Sequence, residues 1–134
     1  MTPAPTVRFR VDFDSQCSIG VGKIELLEGI ARTGSLSEAA RQMHMSYRRA
    51  WLLLADLNHS FDHPVARTSA GGRGGGGAVL TAFGLRLVAG YRKLESCVQP
   101  LADNYLRDFA KRVAPERAAK LIQPASLRRK TSVY

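Results

Sequence analysis

The sequence predicts a mainly α fold with a small β-hairpin wing: a winged helix-turn-helix with a long C-terminal dimerisation helix. Three observations lead there. Two short helical runs meet at a tight turn over residues 44–45, and the second run is basic and aromatic at its start. Two β-prone stretches, residues 65–69 and 78–81, enclose six glycines broken only by Arg73, the pattern of a hairpin tip. Beyond Thr81, apolar residues recur at heptad spacing.

Each element has its own signal. Residues 7–13, Val-Arg-Phe-Arg-Val-Asp-Phe, alternate apolar and polar as a half-buried strand does, and residues 15–22 read as a turn. A first helix is expected over residues 23–32, with Leu26, Leu27, Ile30 and Ala31 on one face and Glu25, Glu28 and Arg32 on the other. Gly34 ends it. Ser35-Leu36-Ser37-Glu38 reads as a capping box, in which the Ser35 hydroxyl accepts from the Glu38 amide and the Glu38 carboxylate reaches back to the Ser35 amide. It opens a second helix over residues 36–43, whose Ala39, Ala40 and Met43 permit a close helix crossing. His44 and Met45 make the turn, and Ser46 caps a third helix over residues 47–61. Ala50, Leu53, Leu54, Leu57 and Phe61 share its core face. Arg48, Leu52, Ala55 and His59 lie opposite, flanked by Tyr47, Arg49 and Trp51.

After the hairpin, Thr81 caps a fourth helix that runs past Tyr105. Within it Leu87, Tyr91, Leu94, Val98, Leu101 and Tyr105 follow one another at intervals of 4, 3, 4, 3 and 4, a seam suited to a second copy of the chain. Pro100 kinks this helix or divides it. The expected organisation is therefore an N-terminal strand and turn (1–19), a winged helix-turn-helix (20–81), a dimerisation helix (82–110) and a basic, disordered tail (111–134).

Composition narrows the partner. Twenty Lys and Arg against eleven Asp and Glu give a net charge of +9, and the isoelectric point is near 10.3. Such an excess favours a polyanion, nucleic acid first and an anionic membrane surface second. No apolar run approaches the ~20 residues that span a bilayer, and the N-terminal residues lack a secretion signal. Cys17 and Cys97 are far apart and form no metal-binding pair, so a reduced, cytoplasmic and nucleoid-associated protein is expected. The glycine run is no nucleotide-binding loop, because no Lys-Ser or Lys-Thr follows it. His59 and His63 have ligand spacing, but Pro64 breaks the helix there and a surface or capping role fits better. No nucleophile, base and orienting group come together as an enzyme requires, and no cofactor is expected.

The residues also carry a family resemblance. Ile24-Glu25-Leu26-Leu27 and Thr33-Gly34-Ser35-Leu36-Ser37-Glu38-Ala39-Ala40 resemble the DNA-binding head shared by LysR-type and ModE-type regulators. Met45-Ser46-Tyr47-Arg48-Arg49-Ala50-Trp51-Leu52-Leu53, the glycine tip and Leu80-Thr81-Ala82-Phe83-Gly84 are similar to the N-terminal domain of the ModE, or molybdate-responsive, family. The resemblance covers residues 20–95 and implies a homodimeric regulator that binds double-stranded DNA. In that family a pair of small β-barrels binds molybdate. The residues after the long helix here are too few and too basic for even one, so direct molybdate binding is not expected.

Within that frame each side chain has an expected role. Arg48 points away from the core and suits bidentate contact with a guanine; Arg49, to the side, suits a phosphate. Tyr47 offers its hydroxyl to a phosphate, and Leu52 either touches a thymine methyl or is simply an exposed leucine. Trp51 is expected to pack against the wing or the first helix. Ser35 and Ser46 cap the helices that face DNA, and Ser37 is free to donate to a phosphate beside the second helix. Arg67, Thr68 and Arg73 on the wing reach the DNA backbone or minor groove. The rival reading is a protein-interaction module that uses the heptad helix and basic tail on a retained scaffold.

Overall fold

A computed structural model describes residues 3–69 and 77–114. In chain order the elements are β1 (Arg10–Asp12), β2 (Ser18–Gly20), α1 (Val21–Thr33), α2 (Leu36–Gln42), α3 (Tyr47–Ser60), β3 (Ala66–Thr68), β4 (Ala78–Leu80) and α4 (Ala82–Ala110). The strands form two antiparallel pairs, β1 with β2 and β3 with β4. Arg73 and residues 115–134 of the expected tail lie outside the described residues.

The described residues fall into two compact units, one within residues 7–98 and a second of residues 3–6 with 99–114. In the first, α1, α2 and α3 enclose a core of Ile24, Leu26, Leu27, Ile30, Ala50 and Leu57, all fully buried. The α1–α2 crossing is close because it is lined with small residues: a Cβ built on Gly29 would stand 3.0 Å from the Ala39 Cβ. Leu53 and Phe61 are half-buried against this core. Ala31 is exposed, contrary to the expected core face, because the buried stripe of α1 passes through Gly29 and Ile30 instead.

The N-terminal segment forms a hairpin rather than a strand followed by a plain turn. Val11 pairs with Ile19, and the buried Ile19 joins the core. Residues 15–22 therefore contain the second strand and the start of α1, which opens two residues earlier than its composition suggests. The capping box forms only in part. Ser35 Oγ accepts from the Glu38 amide at 3.1 Å, but the Ser35 amide donates to Thr33 Oγ1 at 3.2 Å, and the Glu38 carboxylate turns outward to Arg41. The Thr33 hydroxyl, already beside the chain, takes the position that the carboxylate would have filled.

α4 is one helical run that includes Pro100. Thr81 opens it as expected: its Oγ1 accepts from the Gly84 amide at 3.0 Å and donates to the Pro64 carbonyl at 2.7 Å. Tyr91 is not a seam residue. It is 3% exposed in the chain's own core, stacked on Phe9 at 4.8 Å with its hydroxyl donating to the Phe9 carbonyl at 2.7 Å. Burial holds its phenol above the usual range. Leu87 is half-buried against the same core. In the second unit, Gln99 Nε2 donates to the Pro5 carbonyl at 2.7 Å, while Leu101, Tyr105 and Phe109 are exposed.

Candidate nucleic-acid interface

The turn between α2 and α3 sets the direction of α3. His44 holds φ 55, a left-handed conformation that L residues adopt at a cost, and the amides of His44 and Met45 bond back to the carbonyls of Arg41 and Ala40 at 3.1 and 3.0 Å. Ser46 then caps α3, accepting from the Arg49 amide at 3.1 Å. This short connection leaves the first two turns of α3 projecting from the domain. Tyr47 is 56% exposed, Trp51 51% and Leu52 50%, and Arg48 and Arg49 are exposed as well.

Trp51 is the correction here. The expectation was a ring packed on the wing or on α1, and instead half of the side chain faces solvent. The small Ala50 and the leucines beyond it already fill the core side of α3. The helical wheel puts Trp51 on the outer flank, but the general tendency of tryptophan to be buried argues the other way.

Electrostatics over the first two turns of α3 are one-signed. The sequence carries no acid between Tyr47 and Ala55, and neither Arg48 nor Arg49 has an ion-pair partner among the described residues. Asp56, one turn further on, is held by Lys23 at 2.8 Å, and the same ammonium donates to the Ser18 carbonyl at 2.9 Å. Ser46, Arg48, Arg49, Leu52, Leu53 and Asp56 line an open groove of about 400 Å³ along one side of the helix. Ser37 is exposed in the first turn of α2, and Ser35 is half-buried as its cap.

The wing is locked to α3 by contacts that the sequence does not announce. Asn58 bridges them: its Oδ1 accepts from the amides of Val65 and Ala66 at 2.7 and 3.3 Å, and its Nδ2 donates to the Ala66 carbonyl at 3.2 Å. The exit of α1 adds a second tie. Gly34, at φ 72, accepts through its carbonyl from the Ala78 amide at 2.9 Å. At the described residues on either side of 70–76, the Ser69 amide donates to the Gly77 carbonyl at 2.9 Å. In the register Arg67 opposite Val79, Ala66 and Leu80 enter the core, whereas Arg67, Thr68 and Val79 stay exposed. Arg67 also lines an open cleft of about 530 Å³ with His63, Phe83 and Arg86.

His59 and His63 do not converge. His59 Nδ1 sits 2.7 Å from the Ala55 carbonyl, and His63 Nδ1 sits 2.7 Å from the Asp62 carboxylate. Among the described residues no three His, Cys, Asp or Glu side chains are grouped to hold a metal ion, and no helix is long and apolar enough to cross a membrane. Of the expected DNA-facing residues, Ser46, Tyr47, Arg48, Arg49 and Leu52 share the projecting half of α3. Arg67 and Thr68 lie on the wing, and Ser35 and Ser37 lie at the start of α2.

Comparison with known proteins gives this geometry a context. Residues 21–85 match the bacterial regulatory helix-turn-helix protein family of the lysR type. The molybdenum transport protein ModE of Azotobacter vinelandii is 40% identical over 96 residues, which is 72% of this chain and 36% of that protein. The DNA-binding transcriptional dual regulator ModE of Escherichia coli (strain K12) is 40% identical over 81 residues, 60% of this chain and 31% of that protein. The molybdenum-pterin-binding protein MopB of Rhodobacter capsulatus is 40% identical over 87 residues, 65% of this chain and 32% of that protein. The chain thus spans about a third of the length of these relatives.

Proposed function

We propose that the protein is a sequence-specific, double-stranded DNA-binding transcriptional regulator, a reading supported by the match of residues 21–85 to the lysR-type regulatory helix-turn-helix family and by the similarity to ModE proteins. The observation that carries the reading is the projecting half of α3, where Tyr47, Arg48, Arg49 and Leu52 stand exposed with no acid among them. That half enters a major groove. Arg48 takes a guanine edge, while Arg49 and the Tyr47 hydroxyl take phosphates. Ser37, beside the N-terminus of α2, and Arg67 and Thr68 on the wing hold the flanking backbone.

The regulator acts as a homodimer through α4. Leu94, Leu101 and Tyr105 are exposed and Val98 half-exposed on that helix, which leaves them available to a second copy. Half-sites then lie about one helical turn of DNA apart, or a multiple of it. Similarity to relatives named for molybdenum supports a link to molybdenum homeostasis, and a DNA-bound regulator of this kind would work in the cytoplasm, on the nucleoid.

An electrophoretic shift assay tests the reading. The native chain retards double-stranded DNA, and the double variant Arg48→Glu, Arg49→Glu abolishes retardation while its far-ultraviolet dichroism is unchanged. Equal retardation by the two proteins would remove α3 from the interface.

A further inference from the structure

We propose that Trp51 is a base-reading residue: its indole, together with the Leu52 side chain, contacts thymine C5-methyl groups in the major groove beside the base taken by Arg48. The inference rests on the DNA-binding reading above. It adds a specificity that hydrogen-bonding side chains do not supply.

Placement comes first. With about 100° between successive helical residues, Trp51 falls about 60° to one side of Arg48 and Leu52 about 40° to the other. The two apolar side chains therefore straddle the guanidinium, one turn further along the helix. Both are half exposed, at 51% and 50%. Among the described residues the indole takes part in no aromatic stacking pair and no hydrogen bond. A tryptophan that finds a partner buries some 150–250 Å² and anchors its interface, so one left open on a projecting helix marks a surface completed by another molecule.

Chemistry then selects the partner. The adjacent surface is cationic, from Arg48 and Arg49, which disfavours a basic partner and suits a polyanion. The one feature of the major groove that is apolar and distinguishes bases is the thymine methyl. An indole and an isobutyl group on either side of an arginine thus fit duplexes in which thymine neighbours the contacted base. Tyr47, one turn before Trp51 on the same flank, leads from this apolar contact back to the phosphates.

Trp51 is the only tryptophan in the chain, so the native protein reports on itself. Bound duplexes are selected from a random-sequence pool with the full chain. Indole emission and its quenching by acrylamide are then measured with and without a selected duplex, and each thymine is replaced in turn by uracil. The expected result is an emission change, weaker acrylamide quenching, and about fourfold lower affinity when a contacted methyl is removed. At a thymine touched by the indole, uracil has no further effect on Trp51→Ala, whereas a thymine touched by Leu52 keeps its penalty in that variant; Trp51→Phe retains part of the discrimination with an unchanged thermal melt. A duplex that binds while emission and quenching stay as in the free protein overturns the proposal and leaves the DNA-binding reading intact. So does a uracil penalty that is equal in the native chain and Trp51→Ala at every thymine. Failure to select any duplex at low salt removes the DNA-binding reading, and this proposal with it.

Discussion

Gly84 lies in the first turn of α4 against the backbone that leads into the wing, and a Cβ there would come within 2.0 Å of the Val65 carbonyl oxygen and 2.9 Å of its carbon. No rotamer relieves such a contact, because the obstacle is main chain. Thr81 already fixes this junction through the Pro64 carbonyl and the Gly84 amide. Gly84→Ala therefore has to separate α4 from the base of the wing, and the expected loss is about 3 kcal/mol in urea unfolding. A loss below about 1 kcal/mol would mean that the junction yields easily. Arg48→Ala belongs to the same scale. It should cost about 1–3 kcal/mol of binding and relax the preference at one base position, measured by competition among single-base variants of a selected duplex. Uniform weakening across those variants would make Arg48 a phosphate contact.

The elements are held together by a few polar ties across their packed faces. Arg92 of α4 grips Glu28 of α1 with two parallel hydrogen bonds, 2.8 and 2.9 Å, and also reaches Glu95 at 2.8 Å. The hydrogen bond from Arg92 is the main reason that the Glu28 carboxyl lies below its ordinary value near 4.5, with partial burial opposing it. The same carboxylates hold the Arg92 guanidinium above its usual range. A carboxyl depressed in the folded state contributes stability that is fully present above its unfolded value and is lost as pH falls through the folded one. Both side chains are about a third exposed, so solvent screening limits the contribution to about 1 kcal/mol or less. Glu28→Gln should thus be slightly less stable than the native chain at pH 7, with the gap closing below pH 4.5. Urea melts at both pH values check it, and a gap that persisted in acid would assign the loss to packing rather than charge. Asn58 works at this scale too. An asparagine near the end of α3 reads from sequence as a surface residue, yet it supplies three hydrogen bonds to the base of the wing.

For the whole molecule, the excess of basic residues matters more than any one of them. A net charge of +9 on 134 residues favours polyanions, and α3 presents two arginines that have no ion-pair partner among the described residues on one projecting surface. If the proposed complex neutralises roughly six phosphates, affinity should fall about 10³-fold between 50 and 200 mM salt. Fluorescence anisotropy of a labelled duplex measures this, and an affinity nearly constant over that range would exclude a phosphate-dominated complex.

Local chemistry by itself determined most of the element order. Gly34 and Ser46 mark helix ends through backbone conformations and hydroxyls that act within a few residues, so the helix-turn-helix was legible without any tertiary information. The alternating apolar faces of α1 and α3 and the two strands around the glycine run were equally plain. Motifs that resemble the lysR and ModE heads were legible for the same reason. Tertiary structure decided what depends on competition between distant groups. Tyr91 has heptad spacing on α4, but Phe9, far away in sequence, takes its ring and its hydroxyl. The Glu38 half of the capping box lost to the nearer Thr33 hydroxyl. Residues 18–20 became a strand only because residues 10–12 supply the partner. Trp51 stayed outside because Ala50, Leu54 and Leu57 had already filled the core side of its helix. Periodicity assigns a residue to a face, but only the assembled fold shows whether that face is already occupied.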